Sequence, residues 1–125
     1  MPYFLDGNNL IGLARSTSRP SEEDRAALLA EVADRLRKTR ARIVVFFDGG
    51  RSPQVHLGNL SVRTSATQSA DDLILSEIGR VAAPREITVV TADRGLASRA
   101  RALQARVLSP GEFWERVGKT SAPPD

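Results

Sequence analysis

Four aspartates stand at positions where a folded chain would bring them together. Asp6 directly follows the apolar run Tyr3–Leu5, Asp48 follows Ile43–Phe47, and Asp93 follows Ile87–Ala92. Asp71, with Asp72 beside it, opens a helical pattern entered from Leu60–Thr64. Clustered carboxylates repel one another, and partial loss of solvent raises that cost, so such a cluster demands a cation. The chain has no cysteine and a single histidine, His56. Disulfides, thiolate ligands and cysteine nucleophiles are therefore excluded, and an all-oxygen site suits Mg²⁺ or Mn²⁺ rather than Zn²⁺. An ion in such a site holds a phosphodiester, lowers the pKa of a bound water and stabilises the leaving oxygen. The chemistry indicated is hydrolysis without a covalent nucleophile.

Each acid also has a local structural reading. Asp6-Gly-Asn-Asn and Asp48-Gly-Gly both suit turns, because these residue types tolerate left-handed backbone. Asp72 falls at N3 behind Ser69, where it would cap the helix, and Asp71 at N2 gains from the helix dipole. Asp93 could cap the helix that begins at Arg94, alone or while serving the site. The argument for a site rests on the set, since three strand ends and one helix start deliver acids to a single edge.

The elements that must position them are readable as patterns. Tyr3–Leu5, Ile43–Phe47 and Ile87–Val90 are short, unalternating and rich in β-branched or aromatic residues, as strands buried on both faces should be. Leu60–Thr64 and Arg106–Leu108 are weaker candidates for a fourth and a fifth strand. Helical patterns lie between them. Ser21–Thr39 starts with Ser-Glu-Glu-Asp and directs Leu28, Leu29, Val32, Ala33 and Leu36 to one face. Ser69–Ala83, Arg94–Gln104 and a short helix after Ser109-Pro-Gly-Glu112 follow, the last carrying Phe113 and Val117. This order predicts an α/β three-layer sandwich with a mainly parallel central sheet. In an open parallel sheet the C-terminal strand ends line the ligand crevice, and that is where the acids fall. Arg15–Pro20 and Gly49–Pro53 read as surface loops. Residues 1–118 read as one domain and 119–125 as a disordered polar tail. Phe113 and Trp114 have the spacing of core residues, and His56 that of a loop or edge strand.

The chain has 125 residues, 41% of them apolar, and a net charge of +3. That is one globular domain, and no stretch approaches the ~20 apolar residues of a membrane span. The N-terminus reads as carrying no export signal, and a cytoplasmic location agrees with the lack of cysteine. Of the 18 basic residues, 16 are arginine, and the pI is near 10.2. Guanidinium suits bidentate phosphate contact and a polyanionic partner, although a codon preference for arginine would give the same composition. Arg94 is placed unfavourably in the first turn of its helix, where an anion or carboxylate cluster would offset the dipole. Arg15, Arg51 and Arg63 are further candidates to border the crevice.

The segment YFLDGNNLIG resembles the opening motif of the NYN-domain ribonucleases, which are PIN-like. IVVFFDG, TQSADDLILSEI and ITVVTADRGLASRARALQARVLSPGEFW resemble, in order, the later blocks of the YacP-like branch. The likeness covers nearly the whole chain except Arg15–Pro20 and the tail. It implies a PIN-like fold and a divalent-metal-dependent endoribonuclease that prefers single strands. By position, Asp6 matches the first metal-site acid and Asn9 the asparagine closing that motif. Asp48 matches the acid after the second strand, Asp71 that of the Ser-Ala-Asp helix start, and Asp93 that of the Thr-Ala-Asp strand end. Asn8 departs from the aromatic common in the branch, and the Gly49–Asn59 region is compact.

The expected function is hydrolysis of single-stranded RNA by metal-activated water. Asp6, Asp71 and Asp93 are the expected metal ligands, with Asp48 completing the cluster and Asn9 orienting Asp6 or a water. Arginines grip the RNA backbone, and a ribosome or other RNA-processing protein is a candidate partner that presents the substrate. The competing reading is a non-catalytic RNA- or protein-binding module on the same scaffold. A phosphate receiver domain would need a lysine after a late strand, and neither Lys38 nor Lys119 is so placed. No phosphate loop or Gly-x-Gly-x-x-Gly follows any strand.

Overall fold

The computed structural model describes residues 2–15, 21–36, 40–49, 56–65 and 68–119. Apolar runs without alternation become strands packed on both faces. Strand β1 (Pro2–Asp6), β2 (Arg42–Asp48), β4 (Leu60–Ser65), β5 (Thr88–Val90) and β6 (Arg106–Leu108) pair in parallel, and β3 (His56–Leu57) adds an antiparallel edge. The sheet order is β3-β4-β2-β1-β5-β6. The expected mainly parallel three-layer α/β sandwich is the observed architecture.

Two cores separated by the sheet show why the strands read as continuous apolar runs. Along β2, Ile43, Val45 and Phe47 enter one core with Leu5, Leu28, Leu29, Val32 and Phe113. Val44 and Phe46 enter the other with Phe4, Ile74, Ile78, Val89 and Leu96. The period of two is intact, but both faces are apolar. The first core is covered by helices α1 (Gly7–Arg15), α2 (Glu22–Arg35) and α5 (Pro110–Lys119). The second is covered by α3 (Ala70–Arg80) and α4 (Arg94–Ala102). Phe113 is fully buried and meets the rings of Tyr3 and Trp114 at steep angles with centroids 5.4 and 5.1 Å apart; Phe113 is core and Trp114 packs half-buried against it, as their spacing indicates.

Caps fix where the helices begin. Ser21 and Asp24 form a reciprocal capping box on α2, and the Ser69 hydroxyl accepts from Asp72 N–H on α3. Ser109 and Glu112 cap α5 in the same way, with Ser109 Oγ accepting from Glu112 N–H and Glu112 Oε1 accepting from Ser109.

One helix is not anticipated by the sequence pattern. The segment after Asp6 is a nine-residue helix, which excludes the alternative of a turn there, and it takes in Arg15, where the sequence suggests a surface loop. Its first residues, Gly7-Asn8-Asn9, are poor helix formers, and the burial of Leu10 and Ile11 against β2 and α2 overrides that propensity. Gly7 is required there. A Cβ on it would lie 2.4 and 2.6 Å from Phe47 ring atoms and 2.8 Å from the Phe46 carbonyl. Of the two settings expected for His56, the structure takes the edge strand, β3, joined to β4 by a two-residue turn in which Gly58 takes φ +57°. Gly-Asn between Leu57 and Leu60 was its available signal. Lys119 is the last residue of α5 rather than the first of a tail, and 120–125 lie outside the described residues. Among the described residues no helix is long and apolar enough to cross a membrane.

The order of the strands makes the crevice. On one side of β1 the sheet extends through β2, β4 and the edge strand β3; from β4 the chain crosses by α3 to β5 on the other side of β1. The direction of winding therefore changes beside β1. The C-terminal ends of β1, β2 and β5 open on that switch point.

Candidate active site

Asp6 ends β1 and immediately precedes α1. It is only 4% exposed. Its Oδ2 accepts a 2.9 Å hydrogen bond from Thr91 Oγ1, and the backbone N–H of Asn9, three residues on, also donates to its carboxylate. Burial pushes its pKa up to about 6 from an ordinary 3.8, with smaller upward contributions from Asp71 and Asp48. The Thr91 and Asn9 bonds favour the charged form and restrain the rise.

Thr91, which follows β5, carries no role in the sequence reading, yet it organises this corner. It is 3% exposed. Beyond its bond to Asp6 it accepts from the Asp93 N–H at 3.0 Å, and its own N–H donates to the Leu108 carbonyl at 3.2 Å. One hydroxyl thus joins the acid of β1 to the acid after β5. Asn9 Oδ1 accepts from Ala92 N–H at 2.9 Å and lies 3.5 Å from Thr91 Oγ1, so Asn9 ties α1 to the β5 end.

Asp48 ends β2. Its Oδ1 accepts a 2.6 Å bond from the first N–H of α3, at Ala70, and its own N–H donates to Asn8 Oδ1 at 2.9 Å. The peptide beyond it is clamped from behind by Arg25 of α2. That guanidinium donates to the Asp48 carbonyl at 2.6 Å and the Gly49 carbonyl at 2.9 Å, and lies over the Phe47 ring at 4.9 Å from its centroid. Arg25 is 8% exposed and occupies the first position of the apolar stripe it shares with Leu28, Leu29 and Val32. A charged residue in that stripe was the signal that could have found it.

Asp93 caps α4, its Oδ1 accepting from Gly95 N–H at 2.8 Å and Leu96 N–H at 3.2 Å. Asp71 is half-buried in the first turn of α3. Burial raises its pKa first, and the charges of Asp93, Asp48 and Asp72 raise it further, while Arg99 opposes them.

These acids meet. A cleft of about 370 Å³ is lined by Asp6, Asp48, Asp71 and Asp93 together with Asn8, Asn9, Gly12 and Leu13. The capping reading and the shared-cleft reading of the acids turn out to be compatible. Asp6, Asp48 and Asp93 each accept from N-terminal amides of a helix (α1, α3 and α4), and Asp71 lies in the first turn of α3. Three helix N-termini therefore face the cleft and partly offset the mutual repulsion. As the side chains stand, no three His, Cys, Asp or Glu among the described residues converge closely enough to enclose an ion. The donor chemistry nevertheless fits a hydrated Mg²⁺ or Mn²⁺. Such ions keep several waters and are held by one or two carboxylates, and the cleft is lined by four carboxylates and two asparagines.

The arginines expected at the rim are dispersed. Arg63 of β4 donates to Glu77 of α3 at 2.9 Å, and Arg94 lines a neighbouring groove rather than the cleft. Arg51 and the side chain of Arg15 lie outside the described residues.

The sequence matches the family model for the YacP-like NYN domain over residues 3–124. The chain belongs to that family. The YacP-like NYN domain is of ribonuclease type, so the chain is placed among nuclease-like proteins. Two crystal structures share its fold, both of Rae1 (YacP) from Bacillus subtilis. A single-residue mutant superposes with a TM-score of 0.73 at 22% identity, covering 100% of this chain and 86% of that one. The other gives 0.71 at 23% identity, covering 95% and 74%. No curated protein matches the chain.

Proposed function

We propose that this YacP-like NYN domain is a divalent-metal-dependent endoribonuclease acting on single-stranded RNA. The observation that carries this reading is the meeting of four aspartates, from three strand ends and one helix start, in one cleft. Asp6, Asp71 and Asp93 would hold one or two Mg²⁺ or Mn²⁺ ions. When bound, the ion supplies Lewis-acid stabilisation of the phosphodiester and a water of lowered pKa.

The remaining work falls to the chain. Thr91 and the Asn9 amide hold the Asp6 carboxylate in one orientation, and Asn9 Oδ1 fixes the α1 N-terminus against Ala92. Asp48, held by the Ala70 amide and by Arg25 through its carbonyl, keeps negative charge on the opposite wall. Three helix N-termini stabilise ionised acids over protonated ones. Bound RNA would be cut in line, leaving 5′-phosphate and 3′-hydroxyl ends, with exposed arginines gripping its backbone. A cytoplasmic setting, with a ribosome or other RNA-processing protein presenting the substrate, belongs to the same reading.

A second reading is a non-catalytic RNA- or protein-binding module. It is favoured by the capping bonds, which give Asp6, Asp48 and Asp93 each a structural duty. A generic single-stranded RNA incubated with Mn²⁺ and with chelator separates the two. The nuclease reading expects cleavage only with Mn²⁺, and near-complete loss in Asp6→Asn. Full cleavage by that variant, or none by the native chain, would overturn it.

A further inference from the structure

Beside the acid cleft lies a larger groove of about 590 Å³, lined by Thr91, Ala92, Arg94, Ala97, Arg101, Val107, Ser109 and Glu112. We infer that this groove is a second RNA subsite, holding backbone phosphates of the strand on one side of the bond to be cut. The inference rests on the ribonuclease reading for the identity of the polyanion, and adds to it a place and a direction.

The two sites share a wall. Thr91 lines the groove while its hydroxyl binds Asp6, and Ala92 lines the groove while its amide binds Asn9. Arg94 directly follows Asp93, which lines the cleft. A strand leaving the acids over this ridge enters the groove at once. There it meets Arg94 and Arg101, seven residues apart on one face of α4, about 10 Å along the helix axis. Both are exposed, and among the described residues neither forms an ion pair. Ala97 between them and Val107 of β6 give an apolar floor, suited to a ribose or base edge beneath a phosphate held by guanidinium. Arg99, two residues before Arg101 and so on another face of α4, is not part of the groove lining, and its charge acts on Asp71.

The one acid in the groove is Glu112. Its carboxylate accepts from Ser109 N–H and Oγ, and these bonds, with Arg116 nearby, hold its pKa below the usual glutamate range. It stays charged and opposes a phosphate at the groove's far end. The lining thus makes two predictions of opposite sign. Removing Arg94 and Arg101 weakens RNA binding, and Glu112→Gln strengthens it, because glutamine still caps α5 while losing the charge.

The experiment is an anisotropy titration of a labelled single-stranded RNA of about a dozen nucleotides, a length that spans several phosphates, in chelator. The proteins are the native chain, Arg94→Gln/Arg101→Gln, Glu112→Gln and Arg85→Gln. Arg85 is exposed in the Pro84–Glu86 turn before β5, at the end of the sheet away from the cleft, and controls for net charge. Each phosphate contact at 0.1 M salt is worth about fivefold in affinity and about 0.7 in the salt slope. The double variant should therefore raise Kd about 25-fold and flatten the slope by about 1.4. Glu112→Gln should lower Kd and Arg85→Gln should barely change it. A double variant that binds like Arg85→Gln overturns the subsite, and so does an acidic peptide of equal charge that binds as tightly with the same dependence on both arginines. Mn²⁺-dependent cleavage of the same RNA by the native chain is scored separately. Cleavage without the binding effect removes only the groove, and the binding effect without cleavage removes only the nuclease reading.

Discussion

Thr91 Oγ1 donates to Asp6 Oδ2 at 2.9 Å across the point where the sheet reverses its winding. The same hydroxyl accepts from the Asp93 amide, so the two strand ends that flank the cleft are held by a single side chain. Thr91→Val keeps the shape and removes both bonds. It leaves a buried carboxylate without its hydroxyl donor, which raises the Asp6 pKa further, since that bond favours the charged form. The acid limb of the Mn²⁺-cleavage pH profile should move to higher pH, and Thr91→Ser should restore it. An unmoved limb in Thr91→Val would show that the bond does not tune Asp6.

The elevated Asp6 pKa also makes this acid a liability to folding. The unfolded carboxyl releases its proton near 3.8 and the folded one near 6. Below both values the group is neutral in either state. Between them the unfolded chain alone is ionised, so stability falls as pH rises. Above 6 the full difference stands, about 3 kcal/mol. Asp6→Asn should therefore gain stability relative to the native chain on going from pH 4 to pH 8 in chelator, by up to about 3 kcal/mol. Urea denaturation at the two pH values checks it, and an equal difference at both would refute the buried-charge account.

A divalent ion should relieve the same liability. If Asp6, Asp71 and Asp93 hold one, saturating Mn²⁺ at 100 times its Kd stabilises the native chain by about 2.7 kcal/mol. The effect should be largest above pH 6, where Asp6 is ionised. It should disappear in Asp6→Asn/Asp71→Asn. Thermal melts with Mn²⁺ and with chelator read this without any activity assay, and a gain unaffected by the double substitution would place the ion elsewhere.

Much of the arrangement could be read from the chain because its strands announce themselves. Ile43–Phe47 has no polar interruption, and a run of that kind belongs in a sheet covered on both faces. The acid that ends each run then falls at the crevice. The helix at Gly7–Arg15 was hidden because Gly7-Asn8-Asn9 signals a turn in isolation, and only the pocket under Leu10 and Ile11 reverses the preference. Thr91 left no trace because a hydroxyl at a strand end has no periodicity; its importance comes from residues 85 positions away. Arg25 did leave one, as a cation in the apolar stripe of α2.

Gly7 shows how tightly that hidden helix is seated. A methyl there would overlap both the Phe47 ring and the Phe46 carbonyl, and neither can retreat because both residues are fully buried. Gly7→Ala should cost about 1–3 kcal/mol by overpacking, although alanine is intrinsically the better helix former. A rise in the denaturation midpoint would contradict this packing.

Asp48 carries two duties that substitution can separate. Its Oδ1 satisfies the first amide of α3, and its charge faces Asp6 and Asp71. Asparagine retains the carbonyl oxygen and so the cap, whereas alanine loses it at about 1 kcal/mol. Asp48→Asn should therefore melt like the native chain, with Asp48→Ala lower. Cleavage in Mn²⁺ should fall in both, because both remove the charge. If Asp48→Asn cleaves at the native rate while Asp48→Ala is impaired only in proportion to its stability, the residue is a helix cap and the acid cluster has three members.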